Sequence, residues 1–522
     1  NNIYSLSLAK DYLLKEDTIL LESDLIFEDS ALDCLIADPR DTLALVDKYE
    51  SWMDGTCVKL SDQDDIEAFV PGSKFRFEDI SSYYKTVNIY KFSKGFSATH
   101  YVPFLEAYQK ALGLNEYYEQ VLRVIAMLDH PAIKAKRLDG QLWYEIDDVQ
   151  DLDIASSMFA PDGDDKLALL QNRYGGYWRY PHLVDFCYLV TPYYPPQKML
   201  DEIKASFEKL LAQYPSGMQV NSLLAAKNFS VQPRNIIVGN GAAELIKALL
   251  ESLDGVMGFV SPTFEEYPNR YPKERSVVFR VQTEGFRYGA DDLIRFFDGK
   301  AINALAVVNP DNPSGNYIPR ADMLRLVDWA RGKGIRLVID ESFVDFADEK
   351  DATLIEEGLL EANPHLFVMK SISKSYGVPG LRLGVLASGD TAMIADMKKK
   401  VAIWNINSFA EFYMQIAEKY KKSYAASLEL LRAERGRFME EMSKTKGLRV
   451  YPSQANYVLA KLECGVSAKE LTRRLLLEHS LFVKDLTKKC HEDYLRFAIR
   501  DSGDNQKLLN ALWQILGEGD AA

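Results

Sequence analysis

Residues 369–384 read MKSISKSYGVPGLRLG, and the second half of the chain is organised around them. The apolar run at 366–369 predicts a buried strand, and Lys374 follows the end of that strand. A lysine in this position can attack an aldehyde and form a Schiff base, whereas a lone lysine in a polar loop is a solvated surface residue. The hydroxyls of Ser371 and Ser373 and the guanidinium of Arg382 are suited to hold a phosphate. The stretch therefore predicts a nucleophile beside an anion clamp.

Composition narrows the class of protein. The chain has 522 residues, which predicts several domains, and 47% of them are hydrophobic, which argues against global disorder. The net charge of −14 argues against nucleic acid or an anionic membrane as the main partner. The five cysteines are widely spread and form no CxxC pair, so neither a zinc site nor a disulfide framework is indicated. No apolar run approaches the ~20 residues of a membrane span. We expect a cytoplasmic protein that acts on small molecules.

From about residue 167 onward, short apolar runs alternate with longer amphipathic segments. This rhythm predicts an α/β fold with a large, mostly parallel sheet between helices, and ligands at the carboxyl ends of the strands. Polar and aromatic candidates follow those predicted strands. They are the glycine turn Gly241, Ala242 and Ala243, the aromatic Phe264, the amide Asn312 in NPDNPSG, the acid Asp340 and the lysine Lys374. A phosphate cradle, a ring-stacking side chain, a partner for a pyridine nitrogen and a Schiff-base lysine are what pyridoxal phosphate (PLP) needs.

Taken in order, these motifs resemble the fold-type-I PLP enzymes of the class I/II aminotransferases, and the branch of histidinol-phosphate aminotransferase and threonine-phosphate decarboxylase in particular. The resemblance covers nearly all of residues 170–520. It implies that Lys374 is the Schiff-base lysine and proton shuttle, and that Asp340 lies at the pyridine nitrogen. It implies Asn312 at the ring hydroxyl and Phe264 stacked on the ring. The implied phosphate-binding residues are Gly241, Ala242, Ala243, Ser371, Ser373 and Arg382. Tyr214 matches a tyrosine that reaches the phosphate from the partner subunit, which implies a homodimer.

Two further positions bear on the reaction. Aminotransferases of this group usually have a tyrosine where this chain has Phe343, and a phenylalanine there resembles the decarboxylase-like branch of phosphate substrates. In the C-terminal part, Arg496 matches the arginine that binds a substrate carboxylate. Arg500 lies four residues on, so the even spacing would place both on one strand face, where they could bind a phosphonate or phosphate. The alternative for Arg500 is a surface salt bridge with Asp501 or Asp504.

The first unit, residues 1–158, carries two acidic patches. Residues 18–27, TILLESDLIF, predict a buried strand that contains Asp24, and residues 143–153, WYEIDDVQDLD, contain Asp147. Carboxylates at the ends of two strands are suited to Mg²⁺, which bridges nucleotide phosphates. The alternative is that both are loop residues facing water.

This unit resembles the sugar-phosphate nucleotidyltransferases, and the branch that transfers CMP to phosphocholine, phosphoethanolamine or aminoalkylphosphonates. The resemblance implies Asp24 and Asp147 as Mg²⁺ ligands, and Asn2, Ser5 and Asn88 near the substrate or nucleotide. That family begins with a strand and a GxGxR loop that cradles the triphosphate of CTP. No such loop precedes Asn1, so we expect an incomplete, Rossmann-like nucleotidyltransferase unit that binds CTP poorly as it stands.

These expectations define an organisation and a function. The predicted domains are a nucleotidyltransferase unit at 1–158, a linker at 159–169, a large PLP domain at 170–445 and a small α/β domain at 446–522. The favoured hypothesis is a bifunctional enzyme, in which transamination gives 2-aminoethylphosphonate and the first unit attaches CMP to it. One alternative is a PLP-dependent decarboxylase of a phosphoserine- or phosphothreonine-like substrate, coupled to a cytidylyltransferase. The other is a scaffold protein with a decayed nucleotidyltransferase.

Overall fold

The computed structural model describes residues 2–128, 133–180 and 182–517. It divides into two compact units, Asn1–Pro181 and His182–Ala522. The first unit continues past the predicted boundary at 158, because the helix Gly163–Arg173 buries Leu167 and Leu170. Residues 163–169, which were predicted to belong to a linker, are therefore helical.

The first unit is built around an antiparallel sheet with one parallel pair. Its strands are β1 Thr18–Leu21, β2 Leu25–Phe27, β3 Leu43–Lys48, β4 Cys57–Leu60, β5 Ile66–Val70, β6 Tyr84–Phe92, β7 Lys134–Arg137 and β8 Trp143–Glu145. Its helices are α1 Asn2–Leu8, α2 Lys10–Leu13, α3 Asp29–Ile36, α4 Lys94–Phe96, α5 Val102–Leu112, α6 Glu119–Ile125, α7 Val149–Met158 and α8 Gly163–Arg173. The sheet order is β5-β4-β6-β3-β7 with β1 added on β6, and β3 and β7 are parallel.

The prediction of one continuous strand at 18–27 is wrong. Strand β1 ends at Leu21 and pairs with β6, whereas β2 begins at Leu25 and pairs with β8. The polar residues between the two strands form the bend, and their side chains are not fully buried. Placing charged groups at a bend avoids the cost of burying them within a sheet.

The second unit contains a large sheet and a small one. Its strands are β9 Val184–Asp185, β10 Ile236–Asn240, β11 Met257–Ser261, β12 Ser276–Arg280, β13 Ala304–Val308, β14 Arg336–Asp340, β15 Leu366–Ser371, β16 Leu383–Ser388, β17 Leu448–Val450, β18 Tyr457–Leu462, β19 Leu481–Phe482, β20 Lys484–Asp485 and β21 Tyr494–Ala498. Its helices are α9 Gln197–Ala205, α10 Phe207–Ala212, α11 Met218–Phe229, α12 Gly241–Leu250, α13 Ala290–Phe297, α14 Arg320–Lys333, α15 Glu357–Ala362, α16 Thr391–Lys400, α17 Ser408–Ile416, α18 Lys421–Ser443, α19 Ala468–His479, α20 Thr487–Cys490 and α21 Ser502–Leu516.

The large sheet has the order β10-β16-β15-β14-β13-β11-β12. Strand β16 is antiparallel to both neighbours and the other pairs are parallel, so the predicted mostly parallel sheet is confirmed. Strands β13 and β15 are buried along their whole length, as expected for strands covered by helices on both faces. Val368 and Met369 accordingly belong to separate apolar clusters on opposite faces.

The small sheet, in the order β17-β18-β21-β20, packs its apolar face against α18, α19 and α21 through Phe438, Leu471 and Leu508. Of the helices in the described part of the chain, none is both long and apolar enough to cross a lipid bilayer.

Candidate active site

Asp340 is the last residue of β14, and its carboxylate is held from two sides. Tyr267 Oη donates to its Oδ2 at 2.8 Å, while the Ser342 backbone N–H and hydroxyl donate to its Oδ1 at 2.9 and 2.5 Å. Burial raises the pKa of Asp340, and these hydrogen bonds together with the nearby Lys374 ammonium oppose that rise. The site thus has a rigid, buried acid at the carboxyl edge of the sheet.

Lys374 lies in the turn that follows β15, close enough to Asp340 to interact with it electrostatically. Burial lowers the pKa of Lys374 to about 8, and the positive charges of Arg496 and Arg382 contribute to the same shift. A lysine becomes a nucleophile when its amine is neutral, so this environment brings its reactivity toward physiological pH.

Backbone and side-chain groups form a cradle beside Lys374. Gly241 opens α12 with a φ of +72°, and its N–H donates to the carbonyl of Arg382 at 2.8 Å. A Cβ atom on Gly241 would lie 2.5 Å from Nη2 of Arg382, and one on Gly384 would lie 2.5 Å from the backbone N of Ala242. The buried hydroxyl of Ser373 has no hydrogen-bond partner among the described residues. A helix N-terminus, an arginine and a hydroxyl without a partner fit a phosphate.

The remaining predicted phosphate ligands lie in the same region. Ala243 is in the first turn of α12, and Ser371 is the last residue of β15. The backbone N–H of Ser371 donates to the Ser342 hydroxyl at 3.0 Å. The turn after β15 is thereby tied to the acid at the end of β14.

Arg496, on β21, reaches across from the small sheet. Its Nη1 donates to Asn312 Oδ1 at 2.6 Å and its Nη2 to the carbonyl of Cys187 at 2.7 Å. Its guanidinium carbon lies 5.5 Å from the centre of the Tyr457 ring. The Nε is buried and has no hydrogen-bond partner in the described part of the chain. The structure therefore brings Asn312 and Arg496 together and leaves one cationic donor for a further acceptor.

Phe264 and Phe343 differ in exposure. Phe264 follows β11, is 39% exposed, and its ring lies 6.4 Å from that of Tyr267. Phe343 is buried, with its ring 5.1 Å from Tyr457 in an edge-on arrangement. It belongs to an apolar cluster with Leu189. Phe264 thus has a free surface for a planar ring, whereas Phe343 provides packing and no hydroxyl.

Two predicted residues lie away from this constellation. Tyr214 is 79% exposed and stacks on Trp404 at a ring distance of 4.5 Å. Arg500 follows the end of β21 at Ala498, so the expectation that it shares a strand with Arg496 is wrong. Its Nε pairs with Asp504 at 2.9 Å and its Nη1 donates to the carbonyl of Asp185. Of the two alternatives for Arg500, the structure thus supports the salt bridge.

Sequence reasoning missed other residues of the site. Tyr267 holds Asp340, and Asp311 accepts from the Thr263 hydroxyl at 3.1 Å and the Ser314 hydroxyl at 2.8 Å. Lys489 donates to the carbonyl of Thr263. The tyrosine three residues after Phe264 was a usable signal, because it lies in the same post-strand segment. Nothing in the local sequence around Lys489 indicated its contact.

In the first unit, Asp24 and Asp147 flank the paired strands β2 and β8. The N–H of Ile146 donates to the carbonyl of Asp24 at 2.9 Å. Burial, and then the negative charges of Asp151 and Asp24, raise the pKa of Asp147. Across the described ranges, no group of three or more histidine, cysteine, aspartate or glutamate side chains could hold a metal ion. The two predicted carboxylates are neighbours, and the Mg²⁺ site remains a prediction.

Asn88 is part of a buried polar cluster in this unit. It has a φ of +58°, and its amide nitrogen donates to Glu22 Oε2 at 2.9 Å and to Glu145 Oε1 at 2.8 Å. Lys85, fully buried, lies 3.1 Å from Glu145 Oε2. Ser5 is exposed on α1, and the side chain of Asn2 lies outside the described residues.

Comparisons with known proteins agree with this geometry. Residues 194–512 match the family model Aminotransferase class I and II. The chain is 30% identical over 521 residues to CMP-5'-(3-aminopropyl)phosphonate synthase of Streptomyces rubellomurinus, covering 99% of this chain and 82% of that protein. It is 30% identical over 348 residues to L-serine phosphate decarboxylase of Sulfurospirillum multivorans, covering 64% of this chain and 88% of that protein. The histidinol-phosphate aminotransferase structure from Clostridium acetobutylicum superposes with a TM-score of 0.57 at 27% identity. The match covers 64% of this chain and 99% of that structure.

The donor set of the second unit fits PLP. The Ser373 hydroxyl without a partner and the close approach of Gly241, Gly384 and Arg382 suit its phosphate, while Lys374 and Asp340 suit its aldehyde and ring nitrogen. With the family match, this makes the scaffold alternative wrong for the second unit. The chain belongs to the class I and II aminotransferase family and is a PLP-dependent enzyme.

Proposed function

We propose that the second unit decarboxylates a small amino acid carrying a phosphonate or phosphate group, giving a phosphono- or phospho-amine. We further propose that the first unit transfers CMP to such a compound. One relative is named for the synthesis of CMP-5'-(3-aminopropyl)phosphonate and another for the decarboxylation of L-serine phosphate. The decarboxylation proposal therefore replaces transamination as the favoured reaction.

In this proposal each residue has a defined task. Bound PLP would supply an electron sink for the bonds at the amino-bearing carbon of the substrate. Asp340, fixed by Tyr267 and Ser342, would pair with the ring nitrogen, and Phe264 would stack on the ring. Lys374 would hold the cofactor and return a proton to the carbon that loses carbon dioxide, a task suited to its lowered pKa.

The small sheet offers a cationic surface for the acidic ends of the substrate. Arg496 on β21 and Lys484 on β20 are cross-strand partners, so their side chains share one face of the sheet. Arg496 has a buried donor without a protein acceptor, and Lys484 is exposed. A substrate with both a carboxylate and a phosphonate would match two cations better than an ordinary amino acid would.

The observation that carries decarboxylation over transamination is Phe343. It stands where aminotransferases of the group usually have a tyrosine, and its ring is buried against Tyr457. The site therefore lacks the hydroxyl that would tune the cofactor for transamination. Phenylalanine at this position resembles the phosphate-substrate decarboxylases.

The test is the release of carbon dioxide from purified protein supplied with PLP. The substrates are O-phospho-L-serine, O-phospho-L-threonine and 2-amino-4-phosphonobutyrate, whose decarboxylation gives 3-aminopropylphosphonate. We expect stoichiometric amine and carbon dioxide from at least one of them, and none from the Lys374→Ala variant. Absence of carbon dioxide from all of them would contradict the proposal.

Transamination is the second candidate, because the chain also resembles histidinol-phosphate aminotransferases of known structure. Phosphonoacetaldehyde with an amino donor would then give 2-aminoethylphosphonate. A requirement for the donor, and the appearance of its keto acid, distinguishes this reaction from decarboxylation. Amine formed from an amino acid substrate with release of carbon dioxide and without a donor would exclude transamination.

For the first unit, the similarity to a CMP-phosphonate synthase over nearly the whole chain supports CMP transfer. Asp24 and Asp147 would hold Mg²⁺ together with the phosphates of CTP. Asn88 would hold the side chains of Glu22 and Glu145 in place beside these two aspartates. The test is Mg²⁺-dependent pyrophosphate release from CTP and 3-aminopropylphosphonate, with Asp147→Asn expected to abolish it. Release that persists in that variant would contradict the assignment.

We also propose a homodimer in which Tyr214 reaches the cofactor phosphate of the partner. Large apolar side chains are exposed around Tyr214, as expected for an interface; they are Phe207, Leu211, Ile403 and Trp404. If the sites are shared, mixing inactive Lys374→Ala and Tyr214→Ala proteins restores about a quarter of wild-type activity, because half the dimers are mixed and each has one complete site. Mixtures that stay inactive would contradict a shared site.

A further inference from the structure

A further cation, Lys489, contacts the loop that carries Phe264. Lys489 lies in α20, and its Nζ donates to the backbone carbonyl of Thr263. The same Nζ lies 3.4 Å from Oε1 of Glu265. The two contacts lie on either side of Phe264 in the sequence. The Lys489 side chain is 21% exposed, so its ammonium has exchanged most of its water for these acceptors.

The loop around Phe264 has further anchors on both sides of that residue. The Thr263 hydroxyl donates to Asp311, and Tyr267 is fixed by its hydrogen bond to Asp340. Phe264 itself is 39% exposed. Its carbonyl accepts from the backbone N–H of Tyr267 at 3.4 Å, and its ring lies 6.4 Å from that of Tyr267. A phenyl ring makes no conventional hydrogen bond, so its position follows the backbone of the loop, which Lys489 contacts through the Thr263 carbonyl and the Glu265 carboxylate.

We infer that Lys489 is a positioning residue that fixes the Phe264 loop against α20 and thereby sets the Phe264 ring for stacking on the cofactor. The inference rests on the proposed role of Phe264. Without the ammonium, the carbonyl of the buried Thr263 loses a charge-assisted hydrogen bond, and the loop gains alternative positions. The alternative loop positions would weaken the stacking of Phe264 on the cofactor and would therefore weaken PLP binding.

The experiment is a titration of apoprotein with PLP, followed by the visible absorbance and circular dichroism of the bound cofactor. The variants are Lys489→Met, Lys489→Arg and the matched control Lys488→Met, which removes the exposed neighbouring lysine. We expect Lys489→Met to raise the Kd for PLP about tenfold, because the loss of one hydrogen bond to a charged group corresponds to a change in Kd of about this size. Lys489→Arg should recover most of the affinity, and Lys488→Met should match the wild type. Equal Kd values for the two methionine variants would overturn the inference.

A double-mutant cycle separates positioning from a general structural effect. If Lys489 acts through Phe264, then Lys489→Met changes the Kd less than about twofold in a Phe264→Ala background. A tenfold effect of Lys489→Met in the Phe264→Ala background would overturn the inference, even if the wild-type protein binds PLP normally. If Lys489→Met does not fold, Glu265→Gln, which removes only the ion pair, enters the same cycle. A wild-type protein with no visible band would instead refute the PLP site itself.

Discussion

At the scale of single residues, the environment of Lys374 predicts the pH dependence of cofactor capture. Burial and the charges of Arg496 and Arg382 lower its pKa to about 8, so its amine becomes neutral as pH rises through that value. We expect the rate at which apoprotein develops the visible PLP band to rise between about pH 7 and pH 9. Arg496→Met removes a positive neighbour and should move the midpoint upward. A midpoint near the ordinary lysine value in the wild type would contradict this account.

Gly384 shows how a missing side chain shapes the cradle. A Cβ atom there would lie 2.5 Å from the N of Ala242 and 2.7 Å from the carbonyl carbon of Gly241, both backbone atoms that cannot rotate away. We expect Gly384→Ala to lower the free energy of unfolding by about 1–3 kcal/mol and to weaken PLP binding. Gly380→Ala is the control, because no atom lies within 4 Å of the added methyl group. Thermal unfolding and PLP titration of both variants test the prediction.

At the scale of elements, α18 joins the large sheet to the small one through Arg435. Its Nη1 donates to the carbonyl of Phe346 at 2.7 Å and to that of Ala455 at 3.3 Å, and its Nη2 pairs with Asp348 at 2.6 Å. The Arg435 side chain is 4% exposed and the acceptor residues Phe346 and Ala455 are buried, whereas the Asp348 side chain is 63% exposed. Arg435→Met should lower the free energy of unfolding by about 2–4 kcal/mol, because it leaves buried carbonyls without donors.

The control for that prediction is Arg295→Met on α13, whose side chain is 79% exposed and pairs with Asp292 at 3.5 Å. Its effect should stay within about 0.5 kcal/mol, as for other exposed ion pairs. Denaturant unfolding of both variants gives the comparison. Equal losses would show that burial of Arg435 does not contribute the expected stability.

At the scale of the whole molecule, the two compact units predict separate unfolding. Every group proposed to bind PLP lies in His182–Ala522, so the cofactor should stabilise that unit alone by mass action. We expect two calorimetric transitions, of which PLP raises only one. A chain consisting of residues 182–522 should retain the transition that responds to PLP. A single transition that shifts as a whole would contradict independent units.

Local order along the chain was enough to predict the mostly parallel sheet of the second unit and the closeness of Asp340 to Lys374, whose roles stay predictions. Asp340 and Lys374 each follow an apolar run, and parallel strands bring their carboxyl ends to one edge of the sheet, so order in sequence became proximity in space. The glycine turn at Gly241 was predictable because a tight turn into a helix needs a residue that tolerates positive φ.

The tertiary structure alone decided the contacts that no local pattern contains. The chain bends between β1 and β2 because the two strands pair with different partners, β6 and β8. Arg496 reaches Asn312 across 184 residues, and Lys489 reaches Thr263 across 226. Arg500 lies beyond the end of β21 and pairs with Asp504. Such pairs depend on how the small sheet packs against the large one, and the amphipathic pattern of each element specifies its buried face but not the partner that covers it.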